Sequence, residues 1–196
     1  MNDLNKMILT DCDGVLLNWE YAFDVWMNDK GYSLVSQTEY ETHLRYDISY
    51  ERASELIKFF NESASMGFIP PLRDAVQYVR KLHEEYGYTF GVITSLSTNP
   101  YAVKLRERNL KKLFGTAIEF VKCLNTGADK GGALAPYKES GMVWIEDKTE
   151  NAQVGYTLGL RSILMEHSHN MNHVNQNPNI PIVKNWKVIY EIMGDK

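Results

Sequence analysis

Short apolar runs alternate with segments whose apolar residues recur at helical spacing, and this alternation restricts the fold more than any other feature of the chain. Lys6 to Thr10, Thr89 to Thr94, Ala117 to Val121, Met142 to Ile145 and Arg161 to Met165 each have the length and character of a buried strand. Leu72, Ala75, Val76, Val79 and Leu82 predict a helix ending near Gly87, and a second helix opens at Asn99-Pro100. The stretch from Asp129 to Ser140, a helix from Thr149 to Leu158 and a last helix carrying Trp186, Ile189, Tyr190 and Met193 complete the pattern. Strands and helices that alternate in this way build a parallel sheet joined by right-handed crossovers, with helices on both faces. The expected fold class is therefore α/β, a Rossmann-like parallel sheet whose last strand is Arg161 to Met165.

The alternation is interrupted once, between the first two strands. Trp19, Ala22, Phe23, Trp26 and Met27 predict a helix with Asn18 as its N-cap and Gly31 as its stop. A short helix is expected around Thr38 to Leu44, and Ala53, Leu56, Ile57 and Phe60 mark another before Pro70-Pro71 punctuates the chain. The chain thus divides into a core of residues 1–16 and 70–196 and a helical insertion of residues 17–69. A chain of 196 residues accommodates one core of about 130–150 residues and a subdomain of about 50, but not two large domains. Eleven aromatic residues fall within the insertion. Trp19, Phe23, Trp26 and Phe60 share helical spacing and read as its core, whereas Tyr40, Tyr46 and Tyr50 lie outside that period and are free to face a ligand.

Composition excludes several classes. With 44% hydrophobic and 23% charged residues and a net charge of −4, the chain is an ordinary globular protein. Its acidic balance argues against nucleic acid as a partner, because such binding draws on an excess of Lys and Arg. It contains two cysteines, one of them inside an acidic motif, so a disulfide framework is not expected. No apolar run approaches a membrane span or a signal-peptide core. A cytoplasmic protein with no membrane association, a monomer or homodimer, is the expectation.

In open parallel sheets, ligands bind outside the carboxyl ends of the strands. The first strand ends at Asp11 and Asp13, the second at Thr94 and Ser95, and a later one at Glu146 and Asp147, with Lys130 ahead of it. Two carboxylates placed two residues apart on an extended backbone point to the same side, and their crowding makes it costly for both to ionise. One can then attack phosphorus while its protonated neighbour serves as general acid and then base. Carboxylates facing a phosphate dianion need a hard cation with oxygen ligands, and Asp11, Asp147 and Glu146 can offer them to Mg²⁺. Lys130 and Thr94 would hold phosphate oxygens.

Asp11-Cys12-Asp13-Gly14-Val15, Val92-Ile93-Thr94-Ser95, Asp129-Lys130-Gly131-Gly132 and Trp144-Ile145-Glu146-Asp147 resemble, in order and separation, the four motifs of the haloacid dehalogenase superfamily of phosphatases. The resemblance implies that Asp11 is the nucleophile and a metal ligand. It implies that Asp13 is the acid/base and a ligand through its backbone carbonyl, that Asp147 is the downstream ligand, and that Thr94 and Lys130 bind phosphate, with Ser95 beside them. It also implies that the insertion is a small mobile cap. The Glu-Asp pair departs from the Asp-Asp of many relatives, so Glu146 would reach the metal directly or through water, with Glu150 or Asn151 able to share its role. Lys122 is an alternative to Lys130.

Other polar residues read as structural. His167, His169 and His173 follow the last strand in an Asn-rich loop and are expected to be solvated; they lack a fourth ligand at zinc spacing. Cys12 should point away from the acids on either side of it. The expected activity is Mg²⁺-dependent hydrolysis of a small phosphorylated metabolite. The run Ile145-Glu146-Asp147-Lys148 with Asn151 is similar to the deoxyribonucleotidase branch, which makes a nucleoside monophosphate the first substrate to consider. Alternatives are a phosphotransferase or phosphomutase of the same family and a catalytically silent module that binds phosphorylated ligands or a partner. A dehalogenase is disfavoured, because those relatives lack an equivalent of Asp13.

Overall fold

In the computed structural model, which describes residues 6–37, 39–171 and 177–194, the strands are β1 (Met7–Thr10), β2 (Thr89–Ser95), β3 (Ile118–Leu124), β4 (Val143–Glu146), β5 (Arg161–Met165) and β6 (Ile182–Val183). All pair in parallel, in the order β3-β2-β1-β4-β5-β6. The chain steps outward from β1 to β3, then returns to the other side of β1 for β4. A crevice therefore opens between the carboxyl ends of β1 and β4, where the crossovers diverge. Strand β6 was not expected from sequence. Its two residues are too few to show a period, and only pairing of Ile182 with Leu164 and Val183 with Met165 defines it.

Alternation along each strand sends side chains into two cores. Ile8, Val92 and Ile145 point to a larger cluster closed by α4 (Ala75–Tyr86), α5 (Pro100–Phe114) and α8 (Trp186–Gly194). Leu9, Ile93 and Trp144 point to a smaller one closed by α6 (Gly131–Leu134) and α7 (Thr149–Thr157). Helices thus cover both faces. Helix α7 approaches closely because Gly155 has no side chain: a Cβ there would lie 2.4 Å from Trp144 Cδ1 and 2.8 Å from Ser162 Oγ.

The helix signals act as read. Asn99 caps α5 by accepting from the Tyr101 and Ala102 N–H groups, and Gly87 ends α4 in the left-handed region at φ 72°. Between β1 and β2 lie α1 (Trp19–Asp29), α2 (Thr42–Tyr46) and α3 (Tyr50–Asn61). Asn18 caps α1 by accepting from the Tyr21 N–H at 3.3 Å. Helix α2 begins later than expected, and Thr38, where its start was anticipated, lies outside the described residues. Trp19 stacks on Phe23 at 4.7 Å, and Phe60 meets both rings edge-on, so this aromatic group is the core of the helical segment.

Candidate active site

The carboxyl ends of β1, β2 and β4 gather Asp11, Asp13, Thr94, Ser95, Glu146 and Asp147, and Lys130 joins them from the connection between β3 and β4. The Asp11 N–H extends the sheet by donating to the Ile145 carbonyl at 2.8 Å, which sets its carboxylate beside those following β4. Asp11, Glu146 and Asp147 each present an oxygen within 4.8 Å of the others. Lys130, 2% exposed, places Nζ 2.8 Å from both Asp11 Oδ2 and Glu146 Oε2. Lys122 stays on β3, paired with Ile93, and does not line the site.

After Asp11 the chain turns sharply. Gly14 adopts φ 74°, and a Cβ there would lie 2.1 Å from Asp147 Oδ2. Gly14→Ala is therefore expected to displace the Asp147 carboxylate and to strain a left-handed backbone, lowering stability by about 1–3 kcal/mol in a thermal melt. Cys12 turns into the core, as strand alternation requires, where burial pushes its thiol well above its ordinary pKa.

Charge balance at the crevice favours a cation. Burial raises the pKa of Asp13, with Asp11 adding to it and the Arg106 guanidinium opposing it. Burial, then the neighbouring carboxylates, raise Glu146 and Asp147 above the usual carboxylate range. Burial alone would lower Lys130, but Asp11 and Glu146 outweigh it and keep the ammonium charged. Asp11 Oδ1 and Thr94 Oγ1 are buried without a hydrogen-bond partner among the described residues, a costly condition unless a ligand completes them. The donor set, carboxylate oxygens with one atom left open, fits a hard divalent cation. Glu146 is the most heavily engaged acid: besides Lys130, it accepts from the Lys148 N–H at 3.3 Å and from Asn151 Nδ2 at 3.1 Å. The Ser95 hydroxyl donates to the Ala128 carbonyl at 2.8 Å, leaving Thr94 as the open hydroxyl of that strand end.

Several residues were missed or misread. His167 and His169 do not sit in a solvated loop. Both are half-buried and stacked at 5.4 Å, with His167 Nε2 donating to the Gly14 carbonyl at 2.6 Å and His169 Nε2 3.2 Å from the Asp147 carbonyl. Burial lowers the His167 pKa to about 4, so it stays neutral. Their loop folds back under the Asp-rich turn, which local composition cannot reveal; His173 lies outside the described residues. Tyr40 lines the site, its ring tilted at 47° against that of His169 with centroids 4.6 Å apart and with Lys148 Nζ 5.7 Å from it, and Tyr50 lines it too. Tyr46 is instead buried, donating to Asp24 Oδ1 at 2.5 Å. Arg106, from α5, was not anticipated. It is fully buried, with Nη1 and Nη2 donating to the two Asp13 oxygens at 2.5 and 3.1 Å. A signal existed, because Arg106 falls on the apolar stripe Ala102, Leu110 and Phe114, where a charged residue implies a buried partner.

No family model matches the chain. Over 128 residues, 61% of the chain, it is 27% identical to an uncharacterized 32.4 kDa protein of Enterobacteria phage T4, and the match spans 45% of that protein's length. In structure it is similar to a haloacid dehalogenase-like family hydrolase of Streptococcus pneumoniae, with a TM-score of 0.66 at 14% identity over 95% of this chain and 98% of the other. A D,D-heptose 1,7-bisphosphate phosphatase of B. bronchiseptica, solved with magnesium and phosphate, gives 0.58 at 11% identity over 97% and 98%. CbbY of Rhodobacter sphaeroides, solved with phosphate, gives 0.57 at 15% identity over 92% and 94%. The chain has the haloacid dehalogenase-like fold.

Proposed function

We propose that this protein is a Mg²⁺-dependent phosphatase that hydrolyses a small phosphomonoester, with a nucleoside monophosphate as the first candidate, through an aspartyl phosphate on Asp11. The observation that carries the reading is the state of Asp11. One oxygen is held by Lys130, while the other is buried with no partner among the described residues at the crevice where such a sheet binds ligands. Asp11 attacks phosphorus, the ester P–O bond breaks, and the leaving oxygen takes its electron pair together with a proton from Asp13. Asp13, now a carboxylate, accepts a proton from water as that water attacks the aspartyl phosphate, releasing inorganic phosphate and restoring Asp11. Lys130 and the free Thr94 hydroxyl hold phosphate oxygens and orient them for in-line displacement. Asp11 and Asp147, with the Asp13 carbonyl and Glu146 directly or through water, would hold Mg²⁺, which when bound offsets the repulsion between carboxylate and phosphate.

Residues 17–69 act as a cap over the core of residues 1–16 and 70–196. The two chain crossings are pinned to each other, with the Asn18 N–H donating to the Pro70 carbonyl at 2.8 Å and the Leu72 N–H to the Leu16 carbonyl at 2.9 Å. Trp19, Tyr40, Tyr50 and Asn61 of this segment line the same cavity of about 1120 Å³ as Asp11, a volume suited to a metabolite. No helix among the described residues is long and apolar enough to cross a membrane. Phosphate release from p-nitrophenyl phosphate and from a panel of nucleoside monophosphates and sugar phosphates tests the proposal. Turnover is expected with Mg²⁺ and not after chelation by EDTA; absence of Mg²⁺-dependent turnover on every substrate would refute it.

A further inference from the structure

Arg106 is an expensive residue in the place it occupies. It lies on the buried face of α5, and besides Asp13 its guanidinium finds, among the described residues, two sulfur acceptors: Cys12 Sγ 2.9 Å from Nη1 and Met66 Sδ 3.3 Å from Nη2. Its Nε is buried without a partner among the described residues. An apolar side chain would fill the same volume without desolvating a charge or leaving a donor unmet. The one contact that uses the special geometry of arginine is the pair of bonds to Asp13, in which a planar fork fixes the plane and direction of a carboxyl group.

We propose that Arg106 is a positioning residue for Asp13, holding its carboxyl group in the orientation from which it exchanges a proton with the leaving group. The inference rests on the phosphatase reading above. The fork takes one lone pair from each Asp13 oxygen, and each oxygen has a second, so a proton can be carried while the group stays clamped. The Asp13 side chain keeps 24% of its surface exposed, whereas that of Arg106 has none. The carboxyl group is thus gripped from the core side and open on the cavity side, where it is part of the lining. Lys130, a second buried cation beside the acids, contacts Asp11 and Glu146. Each member of the Asp-x-Asp pair therefore has its own cation.

Leaving-group chemistry tests this directly. An alkoxide leaves only with a proton, whereas p-nitrophenolate leaves without one, so misorienting Asp13 must harm alkyl esters selectively. The parameter to compare is kcat/KM, which reports formation of the aspartyl phosphate and not its later hydrolysis. For Arg106→Met, with Mg²⁺ present, the loss on an alkyl phosphomonoester is expected to exceed the loss on p-nitrophenyl phosphate by at least about tenfold, part of the roughly 10²–10⁴ that general acid catalysis supplies. Arg106→Lys keeps the charge but lacks the fork, and should show the same selectivity; Asp13→Asn should show it in full. Equal losses on both substrates, or no loss, would overturn the proposal, as would failure of both Arg106 variants to fold by circular dichroism, since the residue would then be structural. A wild-type protein inactive on both esters would instead refute the phosphatase reading, a separate outcome.

Discussion

Asp11→Asn is expected to bring Mg²⁺-dependent phosphate release down to the buffer rate, a loss of at least about three decades for a nucleophile with no substitute nearby. The amide keeps the shape of the carboxylate but has neither its charge nor its nucleophilicity. Asp13 is clamped by Arg106 and does not share the Lys130 contact that holds Asp11, so it is not set in the position of the missing nucleophile. Stability should move the other way. Asp11 adds to the unfavourable field at Glu146 and Asp147, and without its charge Lys130 keeps Glu146 as its partner, so the substitution relieves like-charge crowding without stranding the ammonium and leaves the apo melting temperature unchanged or raised. The gain in melting temperature on adding Mg²⁺ should shrink in the variant, because a cation that binds only the folded state stabilises by an amount set by its affinity. Phosphate release together with melts in Mg²⁺ or EDTA checks both statements. Residual metal-dependent turnover would place the nucleophile elsewhere.

Lys130→Met should lose both activity and stability. The ammonium is buried and bonded to Asp11 and Glu146, and removing one side of a buried ion pair typically costs about 3–5 kcal/mol because the other side is left uncompensated. The expected stability loss at neutral pH is of that size. It should narrow as pH falls: in the folded variant Glu146 and Asp147 would titrate further above their unfolded values, so protonation on acidification favours the folded state and removes the penalty. Excess Mg²⁺ should narrow it as well. Turnover should fall by about two to three decades, the usual cost of losing one preorganised charge contact. Urea unfolding at several pH values, with kcat measured on p-nitrophenyl phosphate, reads both effects. A stability loss that does not change with pH would show that packing, and not the carboxylates, sets the cost.

Lys130 also shows how much of the site was legible. Its neighbours Gly131, Gly132 and Pro136 obscure its helix, which spans only four residues, and the sequence left Lys122 open as an alternative until the structure placed that residue on β3, away from the cavity lining. Asp11, Asp13, Thr94, Glu146 and Asp147 were legible for the same reason: each follows an apolar run, and strands of one parallel sheet end at one edge. The second strand-end hydroxyl was read less well. Ser95 follows Thr94, but its hydroxyl is taken by the Ala128 carbonyl, a contact 33 residues away that no local pattern encodes. Tyr46 and Tyr40 looked equivalent in sequence, and packing of α2 against α1 buried the first while the second reached His169.

The sequence by itself determined the β/α alternation, the interruption between β1 and β2, and which strands end in acids, because strand and helix periods and their caps are properties of a few adjacent residues. Tertiary structure alone decided which cation answers which acid. Arg106 meets Asp13 across 93 residues of chain, and His167 meets Gly14 across 153. Such partners depend on how a crossover helix and a returning loop pack on the sheet, where burial turns a distant charge or ring into part of the site.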